Sequence, residues 1–199
     1  LLQESDKYDV VKIIEILKKE YNKNTSKYEK MTFKKFGISV LGETNYKMFT
    51  LYCGYTDYEN ADVYEILCQA ELVAKESEDL AAQGIRVFSE RNGAVKLVLQ
   101  WVFDDNINST LPEGKTPYNR DEAPASDLAQ TSLRFESRQF KYFVTEEVPQ
   151  TRRETMWIQL LEGIPQMEAE LMELVKDGVW PFKNITKNVA QKAFPEVIK

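Results

Sequence analysis

The 199-residue sequence predicts a mainly α protein, a compact multi-helix domain preceded by a small N-terminal α+β extension of one helix and a β-hairpin. Three observations carry that expectation. Apolar residues make up 43% of the chain and aromatic residues 12%, enough to build a packed core. From Ala61 onward the apolar residues recur at the three-to-four spacing of amphipathic helices. Before that point, two runs rich in β-branched and aromatic residues flank a short polar turn. The expected organisation is an extension over residues 1–60 and a helical domain over 61–199.

Ser5 is placed to cap a first helix, whose stripe is Val10, Ile13, Ile14, Leu17 and Tyr21. After the polar turn Asn22–Ser26, the runs Phe33–Leu41 and Tyr46–Cys53 read as the two strands of a hairpin around Gly42-Glu43-Thr44-Asn45. Gly54 to Asn60 is a polar, tyrosine-bearing connector. Val63, Ile66, Leu67, Ala70 and Ala74 then line a helix, and Ser77 caps another carrying Leu80, Gly84, Val87 and Phe88, broken at Asn92-Gly93. Ala94–Phe103 is apolar nearly all round, the mark of a central core helix. Residues 104–125 hold no period and carry Pro112, Pro117 and Pro124, so they read as a long loop. A helix from Ser126 to about Thr145 is expected next, with Leu128, Phe135, Tyr142 and Phe143 on one face. Thr151 and Glu154 form a capping-box pattern ahead of Met156, Leu160 and Leu161. Pro165 opens a helix lined by Met167, Leu171, Leu174 and Val175, which Asp177-Gly178 stops. Thr186 caps a last short helix that Pro195 ends.

Catalytic templates fail in turn. The chain contains no histidine, which removes Ser-His-Asp and Cys-His nucleophiles and His-ligated zinc. Glycine-rich phosphate loops, GxSxG and HExxH are all missing. The pairs Asp104-Asp105, Asp121-Glu122 and Glu146-Glu147 read as solvated surface charge. Cys53 and Cys68 read as ordinary thiols of a reducing compartment, and the three Asn-x-Ser/Thr sequons as chance. No catalytic, metal or cofactor residue is therefore expected. No apolar run approaches the roughly 20 residues of a membrane span, and the segment starting at Leu1 has no signal-peptide pattern. The net charge of −6 weighs against nonspecific nucleic-acid binding. A local exception is the stretch 12–35, with Lys12, Lys18, Lys19, Lys23, Lys27, Lys30, Lys34 and Lys35 among Tyr21, Tyr28, Phe33 and Phe36. Trp180-Pro181-Phe182 reads as an aromatic plug closing the end of a helical bundle.

Several motifs recur together: W-V-F-D (Trp101–Asp104), LPEG (Leu111–Gly114), P-Y-N (Pro117–Asn119) with E-A-P after it, R-E-T-M-W-I-Q-L-L-E-G (Arg153–Gly163), I-T-K (Ile185–Lys187) and A-F-P (Ala193–Pro195). By these, residues 61–198 resemble a family of small uncharacterised proteins of T4-like tailed phages, notably cyanophages; residues 1–60 do not match. The resemblance implies a tailed-phage origin and supplies no functional residues. The expected function is non-enzymatic: a virion component or adaptor that binds other phage or host proteins or itself, in the virion or the host cytoplasm. The contact surface is expected at Phe33, Phe36 and Phe49 of the hairpin and at Leu111, Pro112, Pro117 and Tyr118 of the loop. For that loop, a strap lying across the helices is an equal reading. The alternative function is a nucleic-acid-associated accessory factor of replication or transcription using the lysine-rich stretch.

Overall fold

Ile13 and Leu17 lie one turn apart and are both buried, so α1 (Val10–Lys23) turns its apolar stripe inward as its spacing predicts. In the computed structural model, which describes residues 10–53, 61–119 and 129–199, the run expected to form a hairpin is instead two helices. They are α3 (Phe33–Leu41) and α4 (Glu43–Cys53), following the short α2 (Thr25–Tyr28). Period explains the correction. The buried positions are the adjacent Phe36 and Gly37, then Leu41 four residues on, Tyr46 five further and Phe49 three further, not every second residue as in a strand. Thr32 caps α3 by accepting the Lys35 N–H, and Gly42, at φ 80°, ends it where the turn was expected. Glycine is required at a second position for another reason. A Cβ on Gly37 would run into the Tyr46 ring, so α3 and α4 meet backbone against ring. Ile13, Leu17, Tyr28, Phe36, Leu41, Tyr46 and Phe49 form one buried cluster. The Ser5 cap and the connector 54–60 lie outside the described residues.

The second, larger cluster belongs to residues 61–198. α5 (Val63–Ala74) opens on a capping box in which Asp62 accepts the Glu65 N–H and Glu65 accepts that of Asp62. Ser77 caps α6 (Glu78–Ser89) through the Leu80 N–H, as its sequence predicts. α7 (Ala94–Phe103) is the central element, with Val95, Val98 and Leu99 fully buried. α4 packs on α5 and α6, which joins the N-terminal helices to this core.

The single helix expected over 126–145 is not formed among the described residues. Two one-turn helices, α8 (Leu133–Glu136) and α9 (Phe140–Phe143), flank a 3₁₀ turn, and Phe135 points out at 63% exposure. Leu133, Phe140 and Phe143 are buried while Phe135 is exposed, a pattern that suits a kinked segment better than one straight rod.

α10 (Gln150–Gly163) begins after Pro149 without a side-chain cap, so the Thr151 capping box is not made. α11 (Gln166–Lys176) starts after Pro165, which takes the cap position in extended geometry. Its inner face is Leu171, Met172 and Val175 with Glu168, while Met167 and Leu174 lie outside, a rotation from the expected stripe. α11 ends in a Schellman arrangement, with Val179 N–H donating to Leu174 O, Gly178 N–H to Val175 O, and Gly178 at φ 72°. Trp180 then donates to Ile185 O and stacks edge-on with Phe103 and Phe182, forming the expected plug. Glu71 of α5 fixes the same turn by accepting from the Asn184 and Ile185 backbone. Thr186 caps α12 (Lys187–Ala193), which packs on α6 and α7.

Candidate protein-docking site

A mainly apolar opening of about 340 Å³ lies on the N-terminal helices. Ile14 and Leu17 of α1, Tyr28 of α2, and Phe36 and Phe49 of α3 and α4 form its floor. Tyr21 and Met31 stand at its edge, 37% and 39% exposed, and Lys18, Asn22 and Glu29 complete the rim. The rings are locked edge to face, Tyr28 to Phe36 at 4.8 Å and Tyr21 to Phe36 at 5.7 Å between centroids. Glu20 accepts from both Tyr28 Oη and Asn24, which orients the Tyr28 ring. A rigid aromatic floor with the adaptable Met31 at the lip is suited to receiving apolar side chains.

The sequence-predicted contact residues are divided by the structure. Phe36 and Phe49 are buried floor residues of the opening. Phe33 lies in α3, and nothing is described of its side chain. Leu111 and Tyr118 are buried in the main core, and Pro112 and Pro117 are exposed. The loop they share is a strap. Lys176 Nζ, with its residue only 5% exposed, donates to Pro112 O at 2.9 Å, to Gly114 O at 2.7 Å and to Asp177. Asp177 in turn accepts the Gly114 N–H, Glu173 accepts that of Thr116, and Glu162 that of Asn119. Trp157 Nε1 donates to Thr116 Oγ1 at 3.1 Å beneath it. All three protons of the Lys176 ammonium have acceptors, so the polar cleft beside it presents no free cation.

Sequence reasoning missed Met31, Glu168 and Lys176. For the two charged residues the available signal was position, since each falls on the inward face of α11 beside Leu171, Met172 and Val175. Glu168 is fully buried, and its two oxygens accept the Val63 and Leu133 N–H groups, each at 2.9 Å. It thereby ties the first turns of α5 and α8 to α11. Burial pushes its carboxyl up to about 7, against the lowering effect of the two N–H donors, with Asp62 and Glu65 adding to the rise. Burial likewise raises the Cys68 thiol, which leaves it a weak nucleophile. Among the described residues no group of three or more His, Cys, Asp or Glu is placed to hold a metal ion. No helix among them is long and apolar enough to cross a membrane. The eight lysines of residues 12–35 are all exposed, and Lys18 stands on the rim of the opening.

No curated protein and no solved structure matches the chain. One family model does, over residues 73–180, a span that includes the strap, Trp157, Glu168 and Lys176. By that match over more than half its length, the chain belongs to a family of unknown function, DUF6433.

Proposed function

We propose that this protein is a non-enzymatic interaction protein of a tailed phage, acting as a virion component or adaptor. It binds an apolar segment of another protein in the opening between α1, α2, α3 and α4. The observation that carries this reading is the aromatic floor of that opening together with the exposure of Tyr21 and Met31 at its lip. Such a groove suits an amphipathic helix presenting anchors one and two turns apart. Charge favours an acidic helix. Residues 10–53 hold nine lysines against four glutamates, a net +5, within a chain of −6 overall. The phage setting draws its support from the resemblance of residues 61–198, and the virion or the host cytoplasm is the location it implies.

A synthetic helical peptide with leucines at i, i+3 and i+7 and glutamates beside them is the direct probe. It should bind the full chain saturably, better than its lysine-flanked counterpart, and Met31→Asp should abolish binding. If neither peptide binds saturably, the docking function is wrong. The exposed lysines also favour a second reading, contact with nucleic-acid phosphates. Duplex DNA titrated at two salt concentrations tests it, since phosphate-driven binding must weaken steeply with salt.

A further inference from the structure

The docking opening has a complementary surface elsewhere on the same chain. Met167 and Leu174 of α11 are 41% and 38% exposed and lie seven residues apart, two turns along one side of the helix. That spacing separates them by roughly 10 Å along the axis. Val179, 49% exposed, extends the line past the helix end, where its N–H is bonded back to Leu174 O. Glu170 lies between the two anchors along the same helix. An acidic helix with outward apolar residues at i and i+7 is the shape that a helix-receiving groove accepts.

We infer that the groove receives the outward face of α11 from a second copy of this chain, so that copies associate head to tail. The inference rests on the docking function proposed above and adds the identity of the occupant. Two observations support it. Both surfaces carry exposed apolar side chains that their own chain leaves uncovered, Tyr21 and Met31 on one, Met167 and Leu174 on the other. Their charges are opposite: residues 10–53 carry +5, whereas residues 61–199, with 16 basic and 23 acidic residues, carry −7. Opposite fields steer such encounters and disfavour groove-to-groove pairing. The two surfaces are different patches, and joined head to tail, not exchanged about a twofold axis, they make a heterologous contact that repeats from copy to copy into a ring or a filament.

Sedimentation of the full chain over a concentration series tests this, using Met31→Asp and Leu174→Lys as the variants. Both positions are exposed, and unchanged circular dichroism and melting would show that each variant folds. The unmodified chain should grow beyond a dimer as concentration rises, and less so at high salt. Each variant alone should be a monomer. Mixed one to one, the variants should form a dimer and stop, because each retains the face that the other lacks. A chain that is monomeric at every concentration, one that halts at a dimer, or a mixture that fails to pair would each overturn the head-to-tail contact. A monomeric chain that still binds the acidic helical peptide sinks this occupant alone, whereas loss of both results sinks the docking function with it.

Discussion

Glu168 makes the stability of the protein depend on pH in a direction opposite to most paired carboxylates. Its carboxyl is raised from the ordinary glutamate value of 4.5 to about 7, first by burial and then by Asp62 and Glu65, while the Val63 and Leu133 N–H donors oppose the rise. The folded state therefore holds the proton more tightly than the unfolded chain between those two values. The contribution of this group is complete below pH 4.5, falls as pH rises to about 7, and is flat above that. At about 1.4 kcal/mol per pH unit, the loss amounts to roughly 3 kcal/mol, a sizeable share of a typical domain's stability. Glu168→Gln cannot titrate. It keeps one acceptor oxygen but turns an amide NH₂ toward the other backbone N–H, which costs about 1–3 kcal/mol. Comparing urea unfolding of the two proteins between pH 4.5 and 8 cancels the titration of groups not coupled to Glu168, which leaves out Asp62 and Glu65. The parent should be the more stable at pH 4.5, and the gap should close or reverse by pH 8 through a change of about 3 kcal/mol. A gap that does not vary with pH would show that the two N–H donors outweigh desolvation, and the reasoning would fail.

Three further outcomes follow from the packing. Trp157→Ala should cost about 3–5 kcal/mol by thermal or urea unfolding, because the ring is 2% exposed, packs on Trp101 and Phe143, and holds Thr116. Gly37→Ala should destabilise α1–α4 by about 1–3 kcal/mol, since the new methyl must displace the buried Tyr46 ring, and amide exchange in α3 and α4 should accelerate. Lys176→Met keeps the packed stem but removes the bonds to Pro112, Gly114 and Asp177. It should expose 111–118 to proteolysis and cost about 1–3 kcal/mol in all for the lost charged hydrogen bonds; an unchanged cleavage rate would mean the strap is held by its other contacts, among them those of Leu111, Thr116 and Asn119.

Helices with a single strong stripe were legible, and α5, α6, α7 and α12 lie where spacing and caps put them. Failures came where residue type and period disagreed. Phe33–Leu41 has strand-forming residues at helical spacing, and burial follows the spacing, because only a helix puts Phe36, Val40 and Leu41 on one side. On α11, Met167 and Leu174 look like core by hydropathy. The inner face instead accommodates Glu168, because two orphaned N–H groups at the starts of α5 and α8 need an acceptor there. Nothing local in the sequence announces a donor contributed by a residue 105 positions away. The docking opening was half legible: Phe36 and Phe49 were marked as apolar residues needing cover, and the helices that would cover them were not.

The polar groups of the structure divide in a way that bears on function. In the span matched to the family, the buried charges serve internal contacts: Lys176 holds the strap, and Glu168 holds two helix starts. Burying a charge is tolerable only with such partners. The residues that line the opening, from Ile14 to Phe49, lie outside that span, and the rim they carry is uncommitted at Met31 and Lys18 in its burial. A groove built on the N-terminal helices can therefore change its occupant by a few surface substitutions. The same changes in the strap or at α11's inner face would cost stability first. Under the docking function proposed above, the groove side of recognition falls on residues 10–53, while the buried charges of the family-matched helices hold the fold.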